Sequence, residues 1–180
     1  MDNVELEREI REEFPKFKVV PKSESTLMKV ADICLKLITF WQLRTFMTRF
    51  TTTVGYTVYV TDSWASMSPV SKMVLLRHER VHMRQRRKYG SFLFTVLYLF
   101  LFFPVGIAYF RAKFEKEAYA EGMRAMLELL PETGVSTLQS KQFRDRTVRH
   151  FTTAEYFWMW PWKRSIERWY DETVRRLTGP

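Results

Sequence analysis

Two of the three histidines in this 180-residue chain lie four positions apart, and a glutamate directly follows the first. His78, Glu79 and His82 form the pattern HExxH. Residues i and i+4 of an α-helix share one face, about 6 Å apart along the axis, so two imidazoles at this spacing can bind one zinc ion. The glutamate then lies beside the remaining coordination position, where it can serve as a base toward a water molecule. The spacing therefore predicts a zinc site.

The segment around this pattern has the signals of a helix. Ser68 and Pro69 supply an N-cap and a first-turn proline, and Gly90 supplies a C-terminal stop. The basic run 84–88 complements the helix dipole in the last turn. An alternative interpretation is a surface helix whose two histidines are solvated, and a third ligand would decide between the two.

A third protein ligand is needed because a catalytic zinc site combines three such ligands with an open position. The single cysteine, Cys34, lies in an apolar helical pattern, and His150 is distant along the chain. Glu117 and Glu121 lie four positions apart in a helical segment and share a face. This pair offers the better candidates for the third ligand. The alternative is that both glutamates belong to an ordinary solvated helix face.

HExxH followed by a helical glutamate resembles the gluzincin group of zinc metallopeptidases, over about residues 46–125. The resemblance implies Glu79 as the general base and zinc ligands at His78, His82 and Glu117. It also implies that Glu121 orients His78, since a ligating imidazole commonly donates its other N–H to a carboxylate. The group usually has aspartate at the position of Glu121, so the chain departs from the pattern there.

The expected fold class is α+β and mostly helical. A zincin-like arrangement would pack a small antiparallel β-hairpin or sheet on the HExxH helix and on a helical hairpin. Residues 46–61 are rich in Thr, Val, Phe and Tyr around Gly55, which predicts a β-hairpin that turns at 54–56. If the resemblance holds, one strand, 46–53 or 57–61, binds an extended peptide by strand addition. The alternative is a small sheet that only covers the core.

Residues 92–110 are uncharged and apolar, with the length of a transmembrane helix. A single span would separate His82 from Glu117 by about 30 Å of hydrocarbon, which is incompatible with a shared metal ion. The chain must therefore turn back, and the Pro-Val-Gly sequence at 104–106 is the expected breaker. We expect a helical hairpin that is buried in the domain or an assembly, or that contacts a membrane.

By its length the chain is expected to form one domain, 1–180. Its expected parts are an acidic N-terminal helix or arm (1–21), a metal-binding core (22–130) and C-terminal aromatic-rich helices (131–180).

Apolar residues from Leu27 to Trp41 recur at helical spacing and predict a core helix. After residue 131 we expect helices at about 137–149 and 162–177, with a short helix between them that begins at Thr152.

The net charge of +9 is uneven, because residues 1–13 hold six acids and two bases and the remainder carries about +13. A basic body favours anionic partners: nucleic acid, an acidic membrane surface or an acidic protein. The run 84–88 is the candidate contact with a membrane or nucleic acid, and the alternative is that it is only a solvated helix end. One cysteine and the lack of a signal pattern indicate a cytoplasmic or assembly-associated protein, with membrane association as an alternative.

The function that these observations predict is zinc-dependent hydrolysis of a peptide or protein substrate, with Glu79 as general base. Candidate donors to the oxyanion are Tyr119, Arg124, His150 and Tyr156, of which we favour His150.

Three alternatives stay open. One is a zinc-binding structural component of a large assembly such as a virus particle, joined through the aromatic C-terminal region and hairpin 92–110. Another is a membrane-associated metallopeptidase. The last is a nucleic-acid-associated metallopeptidase, although the SprT-like group has a third histidine soon after HExxH and this chain has none there.

Overall fold

The computed structural model describes residues 2–38, 46–49, 51–99, 109–153 and 159–179. These residues are mostly helical with one small sheet, which confirms the α+β class. The chain divides into two compact units, Met1–Glu79 and Arg80–Pro180, with the boundary inside one continuous helix. The single-domain organisation of 1–180 stays a prediction.

The first unit contains an N-terminal helix, a three-stranded sheet and two further helices before the boundary helix begins. In chain order these are α1 (Asn3–Glu13), β1 (Lys18–Pro21), α2 (Thr26–Ile38), α3 (Phe46–Arg49), β2 (Thr52–Val54), β3 (Thr57–Val60) and the first part of α4 (Pro69–Tyr89). The Asp2 side chain accepts a hydrogen bond from the Glu5 N–H and caps α1, which buries Leu6 and Ile10 fully. The predicted acidic helix is thereby confirmed.

The sheet has the order β1-β3-β2, so β3 is its central strand. β2 and β3 form the predicted hairpin, whose turn contains Gly55 at φ 69°, a conformation that glycine adopts without strain. β1 lies parallel to β3, so the sheet is mixed and the expectation of an antiparallel sheet was incomplete. A four-residue strand inside the expected N-terminal arm carries too little periodicity to be identified from sequence.

Residues 46–49 form helix α3 and not the predicted strand. The backbone carbonyl of Phe46 accepts a hydrogen bond from the buried Lys22 ammonium (2.8 Å), which also lies 3.6 Å from the centroid of the Phe46 ring. Such tertiary contacts readily override a β propensity that depends on context.

Helix α2 begins after Ser25, whose hydroxyl accepts from the Met28 N–H (3.3 Å), as predicted. Its predicted role as a core helix was wrong for most of the apolar stripe. Four large apolar side chains are more than half exposed: Leu27, Val30, Ile33 and Leu37. Cys34 is exposed as well, and Trp41 lies outside the described residues. Helical periodicity identifies an apolar face but not the element that covers it.

Helix α4 has the predicted bounds. The Ser68 hydroxyl accepts from the Ser71 N–H (3.2 Å) at its start, and Gly90, at φ 78°, follows its last residue. The exposed side chains of the basic run are Arg84, Arg87 and Lys88, on the outer face of the last turns.

Every secondary-structure element described in the second unit is a helix. After the end of α4 the unit contains α5 (Ser91–Leu99), α6 (Tyr109–Leu129), α7 (Gly134–Gln139), α8 (Lys141–Thr152) and α9 (Lys163–Thr178). The ring of Phe94 packs on Phe114 (5.3 Å between centroids), and Arg111 lies 5.4 Å from the centroid of the Tyr98 ring. Because contacts at 94 and 98 pair with 114 and 111, α5 and α6 are antiparallel, as the predicted hairpin requires.

The predicted breaker at 104–106 lies outside the described residues. Within the part of the chain that the structure describes, no helix combines the length and apolarity needed to cross a membrane.

The helix predicted at about 137–149 is two helices, α7 and α8. Ser140 separates them because its hydroxyl accepts from the Phe143 N–H (3.2 Å) and caps α8. Thr152 ends α8, and most of the short helix predicted after it lies outside the described residues. Helix α9 is confirmed. Among the described residues, the core of this unit includes two clusters, with Ala112, Val148, Phe151, Met159 and Ile166 in one and Met123, Leu138, Tyr170 and Val174 in the other.

Candidate metal centre

Two of the three residues that define HExxH are buried although they are polar. Glu79 and His82 are each 7 % exposed, and both lie on α4. Charged or polar groups are rarely buried without partners, so each burial calls for a specific contact.

Glu115 of α6 is the carboxylate that faces His82. The distance from His82 Nε2 to Glu115 Oε1 is 3.5 Å, and Glu115 is 8 % exposed. His78 lies one turn earlier on the helix that carries His82, and one ligand atom from each of the three side chains falls within 4.8 Å of the other two. This group could hold a metal ion.

The structure therefore brings Glu115, and not the expected Glu117, to the two histidines. Ala112, Glu115, Ala118 and Gly122 are buried at spacings of three and four along the inner face of α6. Glu115 lies within this stripe. Glu117 lies about 200° further round the helix and is exposed. The stripe of small residues was visible in the sequence and is the signal that could have selected Glu115.

The two glutamates predicted from the resemblance have other contacts. Glu117 Oε2 accepts a hydrogen bond from Gln85 Nε2 (2.9 Å). The carboxylate of Glu121 pairs with Arg124 on the next turn of α6. The proposed role of Glu121 in orienting His78 stays a prediction.

Two further side chains at the site were missed in the sequence. The Tyr98 hydroxyl donates a hydrogen bond to Glu115 Oε1, and its ring meets His82 edge-on with 5.8 Å between centroids. Gln85 Oε1 lies 2.9 Å from His82 Nδ1. Gln85 stands three positions after His82 and shares its helix face, which was a readable signal. Tyr98 had a weaker one, a hydroxyl inside an otherwise apolar stretch.

Glu79 has a defined partner in the first unit. Its Oε2 accepts a hydrogen bond from the Thr53 hydroxyl of β2 (2.7 Å). β2 is an edge strand of the sheet, whereas β3 is paired on both sides. Two segments were predicted to bind a peptide by strand addition. In the segment 57–61, β3 already pairs with β1 on one side and β2 on the other. β2, which begins in the segment 46–53, has one unpaired edge among the described strands.

Lys22 is a second buried charge in the same unit, with only 1 % of its surface exposed. Burial lowers the pKa of Lys22 to about 8, and the negative charges of Asp32 and Glu79 oppose this shift. The lysine therefore adds positive potential in the environment of Glu79.

The residues predicted as oxyanion donors form pairs. The Tyr119 hydroxyl and His150 Nδ1 are 2.5 Å apart, and Arg124 contacts Glu121. Tyr156 lies outside the described residues. The catalytic role of His150 stays a prediction.

Two imidazole nitrogens and one carboxylate oxygen form a donor set that suits zinc and other divalent transition metals, whereas calcium and magnesium prefer oxygen ligands alone. Comparison of the chain with protein-family models, with curated proteins and with solved structures gave no match.

Proposed function

We propose that the protein is a zinc metallopeptidase of gluzincin type, with a zincin-like arrangement in which His78, His82 and Glu115 bind the metal. The observation that carries the proposal is that one ligand atom from each of these three side chains converges within 4.8 Å. The helix that carries both histidines also carries the buried Glu79. The burial of His82 and Glu115, the i, i+4 spacing of the histidines and a third ligand atom from another helix support this assignment.

When bound, zinc would lower the pKa of a coordinated water to about 7 and polarise the scissile carbonyl. Glu79 accepts the proton of the attacking water and then delivers it to the leaving amine. The hydrogen bond from Thr53 holds one carboxylate oxygen of Glu79, and in this proposal the other oxygen carries out the proton transfer.

The substrate class in this proposal is an extended peptide. β2 is only three residues long, but its open edge offers backbone N–H and C=O groups for strand addition. Because Thr53 stands in the middle of β2 and bonds to Glu79, a peptide on this edge would lie close to the proposed base.

Replacement of Glu79 by glutamine tests the enzymatic part of the proposal. Glu79→Gln keeps the side-chain shape and the hydrogen bond to Thr53 but cannot accept the proton. It should retain zinc and the circular dichroism of the wild type, while hydrolysis of a quenched fluorescent peptide library falls at least about 100-fold. Glu132→Gln, at an exposed glutamate after α6, is the matched control. An unchanged rate in Glu79→Gln would remove Glu79 from the mechanism.

A second candidate function is a zinc-binding structural component of a large assembly. It is favoured by the exposed apolar residues of α2, which suit a protein partner. A wild-type protein that binds zinc but hydrolyses no peptide in the library would support this candidate.

A further inference from the structure

We propose that Gln85 is the positioning residue of the metal centre, since it fixes the orientation and protonation pattern of His82 and ties this histidine to α6. The proposal rests on the proposed zinc function for its consequences, but the geometry behind it is independent of any metal. Gln85 is 4 % exposed, so its amide must find its partners within the protein.

The amide of Gln85 has three hydrogen-bonding contacts. Its nitrogen donates to the backbone carbonyl of Phe114 (3.1 Å) and to Glu117 Oε2 (2.9 Å), and its oxygen lies 2.9 Å from His82 Nδ1. All these partners belong to the second unit. The Phe114 carbonyl and the Glu117 carboxylate are both acceptors, so the Gln85 atom that contacts them must be the amide nitrogen.

This arrangement determines which nitrogen of His82 carries hydrogen. A flipped amide would place its oxygen against a carbonyl and a carboxylate, which is repulsive. Gln85 Oε1 therefore faces His82, and a hydrogen bond at 2.9 Å requires a proton on Nδ1. With Nδ1 engaged by Gln85, Nε2 is the ring nitrogen left for a metal ion, and it faces Glu115.

The same amide aligns the two helices that supply ligands. Gln85 lies about one turn after His82 on α4, and its amide donates to the carbonyl of Phe114. Phe114 directly precedes Glu115 on α6. Glu117, the ligand expected from sequence, thereby acquires a different role as the anchor of the Gln85 amide. Gln85 thus supports both His82 and the register of Glu115 against it.

The test replaces Gln85 with methionine, which has a similar length but forms no comparable hydrogen bonds. Gln139→Met, at an exposed glutamine of α7, is the matched control. Zinc affinity is measured by competition with a chromophoric chelator, and Gln85→Met should bind zinc 10- to 100-fold more weakly than the wild type and the control. Equal affinities in all three proteins would overturn the proposal.

Nuclear magnetic resonance of ¹⁵N-histidine-labelled protein gives a readout that a general packing role would not change. The Nδ1 proton of His82 should give a resolved signal in the wild type and in Gln139→Met, because the hydrogen bond slows its exchange with water. In Gln85→Met this signal should broaden or vanish, while the chemical shifts of the histidine backbone amides remain those of a folded protein. A slowly exchanging Nδ1 proton in Gln85→Met would overturn the proposal.

Glu117→Ala provides a second variant at an exposed position that should fold even if Gln85→Met does not. Removal of one of the two anchors should weaken zinc binding less than Glu115→Ala does and should increase the exchange of the His82 Nδ1 proton. A complete loss of zinc from Glu117→Ala would identify Glu117 as a ligand and overturn the network. The proton measurement needs no zinc, so a wild type without zinc would refute the proposed function while the role of Gln85 is still decided.

Discussion

At the scale of single residues, the site depends on how Glu115 is held. Its Oε1 faces His82 Nε2 at 3.5 Å and accepts the hydroxyl of Tyr98. A tyrosine donor restricts the rotation of the carboxylate, which favours metal binding. Tyr98 comes from α5, so the apolar hairpin helix contributes to the site as well as to packing.

Tyr98→Phe removes this donor while it retains the ring that packs on Phe94. We expect zinc affinity to fall about tenfold, because contacts behind a metal ligand typically contribute 10- to 100-fold. Competition with a chelator measures the loss, and Tyr109→Phe, at an exposed tyrosine, serves as the control. Wild-type affinity in Tyr98→Phe would show that the hydroxyl does not support Glu115.

At the scale of elements, the sequence signals differed in strength. Helix α4 was predictable at both ends because serine, proline and glycine act locally. The antiparallel arrangement of α5 and α6 was predictable because two ligands of one proposed metal ion would have to meet. The β2–β3 hairpin followed from its glycine turn.

Other features depended on contacts distant along the chain and could not be read locally. β1 is stabilised by its parallel pairing with β3, and α3 by the contact of Lys22 with Phe46. The choice of Glu115 over Glu117 depends on which face of α6 is buried. The distance along the chain from HExxH to either glutamate does not determine that face.

Lys22 connects β1 to α3 and gives the first unit a pH dependence. Its pKa is about 8 in the folded protein and near 10.5 in an ordinary environment, so between these values the unfolded chain binds more protons. The free energy of unfolding of the wild type should therefore rise from pH 8 to pH 10 relative to Lys22→Met, which lacks the titrating group. Urea unfolding at several pH values measures the difference. A difference that stays constant or falls with pH would contradict the assigned shift.

At the scale of the whole molecule, charge is distributed unequally between the two units. Residues 1–79 contain 11 basic and 10 acidic side chains, whereas residues 80–180 contain 18 and 10. Nearly all the net positive charge of the protein, +8 of +9, thus belongs to the second unit, which also provides His82, Glu115 and Gln85. An anionic substrate or partner would be attracted to that unit, and most strongly at low ionic strength.

The most direct test of the proposed metal centre is the zinc content of the purified protein. It is measured by elemental mass spectrometry after dialysis, in the wild type and in His82→Ala, Glu115→Ala and Glu117→Ala. We expect about one zinc per chain in the wild type, little in His82→Ala and Glu115→Ala, and retention of most of the zinc in Glu117→Ala. Stoichiometric zinc in a folded Glu115→Ala protein, or no zinc in the wild type, would contradict the assigned metal centre.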